Sequence, residues 1–410
     1  MTKFGPLHCD SNKIIVYTKI IYLKHVVVVI YFRENVARGN TILCLNNLES
    51  GAVRYDCMVF ALRKFTGGMG DEDEDQPENN KVWTDYFLKP IETTAKVICT
   101  RKANGEAAHL AVRYIQNRFV LCVGSKNVHM LISDRSDIDK YSEDRFQVAR
   151  YVAEAIMSLV ENLDKTGSAA FLFNFMHYTR LTAVFEVLNP ASQHVEDLSH
   201  LKRTELRFIS WTSSYEDRKN NLFSYCAINP KVGIDLARNI GLQTVEYEMI
   251  EPNEVDQRMN KIRHDYGYEG EVLYFVDSED NVIGLLKKKT AWYVVARAIR
   301  EQSANALAEW NKKGELKYDH ASREERMVKR LKAIKTWLDL SDESCKAWTN
   351  IGKGFLAWVI RLAAEKPDND KSVEEKNEKY HKCDIELRSK FPWHWKEYLK
   401  HSQQSDIINW

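Results

Sequence analysis

Arg101-Lys102-Ala103-Asn104-Gly105-Glu106 lies between two β-prone runs, Lys96-Val97-Ile98-Cys99-Thr100 before it and residues 107–114 after it. Asn-Gly between such runs predicts a hairpin with the pair in its turn. Lys102 then stands at the mouth of whatever the two strands line. A lysine there becomes a nucleophile if burial or neighbouring positive charge lowers its pKa, because only the neutral amine attacks. A surface hairpin carries the same letters.

The chain has 410 residues, enough for a large first domain and a smaller second one. A formal net charge of +1 leaves any nucleic-acid surface to a local patch. The eight cysteines are scattered without a C-x-x-C pair, which favours buried thiols in a reducing compartment over disulfides or zinc. The most apolar stretch, residues 20–32, is interrupted by Lys24 and His25, is too short to span a bilayer, and reads as a buried strand at 26–30. An intracellular protein, cytoplasmic or nuclear and without a membrane span, is expected.

Lys102-Ala103-Asn104-Gly105 resembles motif I, K-x-D-G, of the covalent nucleotidyltransferases, the superfamily of polynucleotide ligases and mRNA capping enzymes. The Asn form resembles the ligase domain of fungal tRNA ligases. Upstream, Arg38-Gly39 and Lys64-Phe65 resemble R-G and K-F pairs of phage-type RNA ligases, where the arginine serves the ATP phosphates and the K-F pair lies by the nucleotide pocket. Between the second pair and motif I runs Asp71-Glu72-Asp73-Glu74-Asp75, which reads as a solvated loop.

Downstream the blocks follow in the family's order. Ser125-Lys126-Asn127 at a strand end resembles motif Ia; a plain strand-end lysine is the competing reading of Lys126. Val184-Phe185-Glu186-Val187 resembles motif III, and a glutamate inside an apolar strand needs a partner. Residues 206–211 resemble motif IIIa, which implies that Phe208 stacks on adenine; core packing is the alternative. Glu269-Gly270-Glu271-Val272 resembles motif IV. Lys287-Lys288-Lys289-Thr290-Ala291-Trp292-Tyr293 resembles motif V with the T-x-W-Y tail of phage-type RNA ligases. On a strand Lys287 and Lys289 share one face and Lys288 points away. Each block is short; five in order form a specific pattern over residues 38–300.

Helices are expected at 142–165, 231–240 and 254–266, and a hairpin from 171–177 with 182–188. From residue 293 the pattern is helical, with helices at 293–311, 322–338, 343–366 and 377–401. No alternating strands suggest the OB-fold of DNA ligases and capping enzymes.

The resemblance implies an α+β fold: a nucleotidyltransferase domain at 1–292, with ATP-grasp-like antiparallel sheets and flanking helices, then an all-helical domain at 293–410 that could bind RNA. It implies a monomeric ATP-dependent RNA ligase joining 5′-phosphate and 3′-hydroxyl ends through a lysyl-AMP on Lys102. Glu269, Lys287 and Lys289 would join Lys102 in catalysis. Arg38, Lys64, Asn104, Lys126, Glu186 and Phe208 would help bind ATP, and Glu186 and Glu269 would hold the waters of Mg2+ or Mn2+. A capping-type guanylyltransferase is disfavoured by the missing OB pattern, and an inactive RNA-end binder by the intact motif lysines. No P-loop G-x-x-x-x-G-K-[ST] occurs, so other enzymes would prepare the ends.

Overall fold

The computed structural model describes residues 20–23, 26–31, 39–47, 53–62, 82–213, 224–365 and 386–408. Strands β1 (Ile20–Leu23), β2 (Val26–Tyr31), β3 (Thr41–Asn47) and β4 (Val53–Val59) form an antiparallel meander. The described parts of the apolar run at 20–32 are thus two strands.

Next come β5 (Thr94–Arg101), β6 (Glu106–Ile115), β7 (Arg118–Ser125) and β8 (His129–Ile132). Helices α1 (Gln147–Asp164) and α2 (Ser168–Thr179) precede β9 (Thr182–Leu188) and β10 (Glu205–Thr212). Then follow α3 (Pro230–Ile240), β11 (Tyr247–Ile250), α4 (Val255–His264), β12 (Gly270–Asp277) and β13 (Val282–Lys289). Four helices close the described chain: α5 (Ala291–Lys313), α6 (His320–Leu338), α7 (Asp342–Glu365) and α8 (Leu387–Ser402).

The strands after β4 make two antiparallel sheets, ordered β10-β9-β6-β7-β8 and β11-β5-β12-β13. This corrects the hairpin expected at Asn104-Gly105: β5 and β6 belong to different sheets, and residues 102–105 carry the chain from one to the other. Gly105 is needed for room. A Cβ there would lie 2.1 Å from the Val187 carbonyl oxygen on β9.

A second correction concerns residues 171–177. Phe171, Phe173 and Phe175 alternate as in a strand, but the segment is helical, burying Ala169, Leu172 and Met176 at helical spacing and leaving Phe171 55% exposed. Helices α1 to α3 cover one face of the five-stranded sheet, with Leu110, Val112, Phe185 and Trp211 in that core. The other sheet packs Val97, Leu273 and Phe275 against α4. The closing helices share their own core, centred on Trp348, Phe355 and Trp395. No strand follows β13 among the described residues.

Candidate active site

The site lies where the two sheets meet. Lys102 extends β5 by one step, its N–H donating to the Gly270 carbonyl at 2.8 Å, while Gly270 pairs with Lys289 on its other side. Lys102 and Lys289 therefore flank Gly270. The glycine has φ 142, and a Cβ on it would meet the Lys288 carbonyl at 2.0 Å. Lys287 stands opposite Val272, on the face of Lys289, while Lys288 stands opposite Glu271 on the α4 face. The alternation expected for the three lysines holds, yet Lys288 is as buried as Lys287. Arg258 of α4 grips the neighbouring Glu271 with two bonds, at 2.8 and 2.7 Å.

Glu269 sits one residue before β12, 4% exposed. Its Oε2 lies 3.0 Å from Lys102 Nζ and accepts from Asn104 Nδ2 at 2.7 Å. Asn104 Nδ2 also donates to the Tyr293 hydroxyl at 3.0 Å, and its Oδ1 accepts the N–H groups of Val195 and Glu196, both at 3.1 Å. Glu186 enters from β9, accepting the Gly105 N–H at 3.1 Å. Thr290 caps α5 by accepting the Tyr293 N–H at 3.0 Å, which fixes the tyrosine under the site. Lys289 Nζ lies 5.5 Å from the Tyr293 ring centroid.

The charges interlock. Burial alone would lower the Lys102 pKa, but the carboxylates of Glu269, Glu186 and Glu196 outweigh it and hold the ammonium up at about 12. Burial opposes ionisation of Glu269, and Lys102 and Lys289 prevail to keep it below the usual carboxylate range. Burial raises Glu186, and pushes Glu196 up to about 7. The expected proximity of Lys102, Asn104, Glu186, Glu269 and Lys289 is thus present, with Lys287 on the same strand face.

Other expected residues lie elsewhere. Phe208 is wholly buried in the helix-covered core, edge-on to Phe185 at 5.6 Å and beside Trp211 at 4.8 Å; it faces away from the seam. Its strand partner pairing shows why: Phe208 is opposite Phe185, whereas Arg207 is opposite Glu186. Lys126 is exposed just past β7, and with the His194 ring, the larger influence, it lowers the Glu106 pKa. Arg38, Lys64 and the acidic run 71–75 lie outside the described residues. Among the described residues no three His, Cys, Asp or Glu side chains gather as a metal cluster.

Four residues escaped the motif reading. Glu196 lies in an irregular loop without periodicity, although its apolar neighbour Val195 hinted at burial. Arg101 stacks on Tyr268, 5.0 Å from the ring centroid, and reaches Glu196 at 3.7 Å. His109 and His129 form a buried chain, ring nitrogens 3.1 Å apart, with Thr41 Oγ1 2.9 Å from His129 Nδ1.

Solved structures of an RNA ligase from Naegleria gruberi match at low similarity. An apo variant shares 14% identity over 57% of this chain and 60% of that one, with a TM-score of 0.33. The ligase with pyrophosphate shares 13% over 60% and 65%, TM-score 0.34. A lysine-to-methionine variant with AMP and Mn shares 13% over 68% and 75%, TM-score 0.34. The chain thus spans about three fifths of the first of these proteins, and likeness at this level carries no argument about activity. Among curated proteins none matches. A family model described as a domain of unknown function, DUF7920, matches residues 28–300, and the chain belongs to that family.

Proposed function

We propose that this protein is an ATP-dependent RNA ligase that seals a 5′-phosphate to a 3′-hydroxyl. The observation that carries the reading is the Lys102 ammonium held 3.0 Å from the Glu269 carboxylate, with Asn104, Glu186 and Lys289 gathered round it at the seam of two sheets. Residues 1–292 would bind and transfer the nucleotide, and 293–410 would meet the RNA.

At rest Lys102 is protonated, so it must lose a proton before it attacks. Glu269 is the carboxylate in hydrogen-bond reach, and because its own pKa is held low it relays that proton onward to solvent rather than keeping it. The amine nitrogen then bonds to the α-phosphorus of ATP, the bond to the bridging oxygen breaks, and pyrophosphate leaves with the electron pair. The RNA 5′-phosphate oxygen next attacks the lysyl-AMP and frees Lys102. The 3′-hydroxyl finally displaces AMP. Lys287 and Lys289 supply fixed positive charge for the phosphates, and Arg38, Lys64 and Lys126 would help bind ATP. Magnesium, or manganese in its place, fits the hard carboxylate oxygens of Glu186 and Glu269 and would neutralise phosphate charge when bound.

The test is label transfer from α-labelled ATP or GTP, read on a denaturing gel. ATP should label the parent and GTP should not. Lys102→Ala should lose all label while still unfolding in one cooperative transition, at a lower temperature because Glu269 loses its buried partner. Label retained in folded Lys102→Ala protein would sink the assignment.

A further inference from the structure

Glu269 must hold Lys102 and then release it, so its backbone has to be fixed from outside the pair. The loop 193–197 does this at Glu269 and braces the neighbouring Asn104 as well. Glu196 Oε1 accepts the Glu269 N–H at 2.5 Å. The N–H groups of Val195 and Glu196 bind Asn104 Oδ1. The loop is in turn held by the closing helices: the Gln193 N–H donates to the Ser389 carbonyl of α8 at 2.8 Å, and Val195 is buried in the helical core. Gln193 also braces the loop itself, its Nε2 on the Pro190 carbonyl at 2.9 Å and its Oε1 on the Leu198 N–H at 2.7 Å.

We propose that Glu196 is a positioning residue for lysine adenylylation, its carboxylate acting as the acceptor that fixes the Glu269 backbone, with α8 holding the loop in place. The inference rests on the ligase reading for its kinetic consequence, but the anchoring itself does not need ATP. Geometry separates reach from charge. Glu196→Gln keeps an oxygen at the same distance and drops the charge. Glu196→Asp keeps the charge and withdraws the acceptor by one methylene.

Two measurements on the full chain decide the matter: the rate of self-adenylylation at saturating ATP, and residue-resolved hydrogen exchange of the Glu269 amide. Glu196→Asp should slow adenylylation about tenfold or more and speed Glu269 exchange by a similar factor, as expected when a buried amide loses its acceptor. Glu196→Gln should keep Glu269 exchange close to the parent's and should not slow adenylylation, because removing one of the carboxylates that hold the Lys102 proton can only ease its loss. A Glu196→Gln protein as slow as Glu196→Asp would mean that charge matters and reach does not, overturning the proposal. Unchanged exchange in Glu196→Asp would overturn it as well. If the parent takes no label but exchange follows the expected pattern, the ligase reading fails and the anchoring stands.

Discussion

The amide of Asn104 uses all four of its hydrogen-bonding positions, two N–H donors on Glu269 and Tyr293 and one oxygen shared by two backbone N–H groups. An aspartate at this position would put a second carboxylate against Glu269 without a proton between them. Asn104→Asp should cost about 1–3 kcal/mol at pH 7. Urea unfolding should show the deficit shrinking as pH falls toward 5, where the two carboxyls can share a proton. An unchanged midpoint at pH 7 would mean that the amide does not face Glu269. The buried histidines give a second prediction. Burial lowers His109 from the usual 6.5 to about 4, and burial plus the adjacent ring lowers His129. Below pH 6.5 the unfolded chain binds protons on these rings before the folded chain does, so their contribution is intact above 6.5 and falls with pH, that of His109 being lost toward 4. Glu196, raised to about 7, runs the opposite way and gains stability on acidification, so imidazole NMR shifts are the clean readout. Both rings should stay neutral at pH 5.

At the level of elements, β13 presents its lysines on two different faces. Lys287 and Lys289 lie on the Gly270–Val272 side with Lys102, and alanine at either should slow self-adenylylation about 100-fold, as removal of a transition-state donor does. Lys288 belongs to the packing of α4 against the sheet. Lys288→Ala should lower stability by about 1–3 kcal/mol, while adenylylation per folded molecule stays near the parent's. Thermal unfolding measured beside label transfer separates the two. Equal kinetic losses at 287, 288 and 289 would contradict the assignment of faces. Helix α2 teaches the reverse lesson: its alternating phenylalanines suggest a strand, but packing of Leu172 and Met176 into the sheet-covering core selects the helix.

Across the whole molecule, the closing helices are tied to the site by Asp406, whose carboxylate accepts from Trp292 at 2.9 Å, Trp395 at 2.6 Å and Tyr266 at 2.5 Å. Their outer surface is available for another task. On α6 the side chains of Arg326, Lys329 and Lys332 are exposed, whereas Arg330 stacks over Trp337, 4.8 Å from its ring, and Arg323 is paired with Glu309. Reversing the three exposed charges should leave adenylylation near normal, weaken RNA joining and reduce the salt dependence of RNA affinity, since phosphate contacts release counterions. Joining equal to the parent's at near-physiological salt would make this face merely solvated.

The sequence by itself determined the order of the blocks, the spacing that puts Lys287 and Lys289 on one face, and the helical character from residue 293. These follow from local periodicity and residue chemistry, which the chain carries wherever it folds. Only the tertiary structure decided that β5 and β6 part into different sheets, that Phe208 turns to the core, and that Glu196 arrives from a distant loop to hold Glu269. Strand partnership and the burial of an irregular loop depend on contacts between residues far apart in the chain, and no local pattern encodes them.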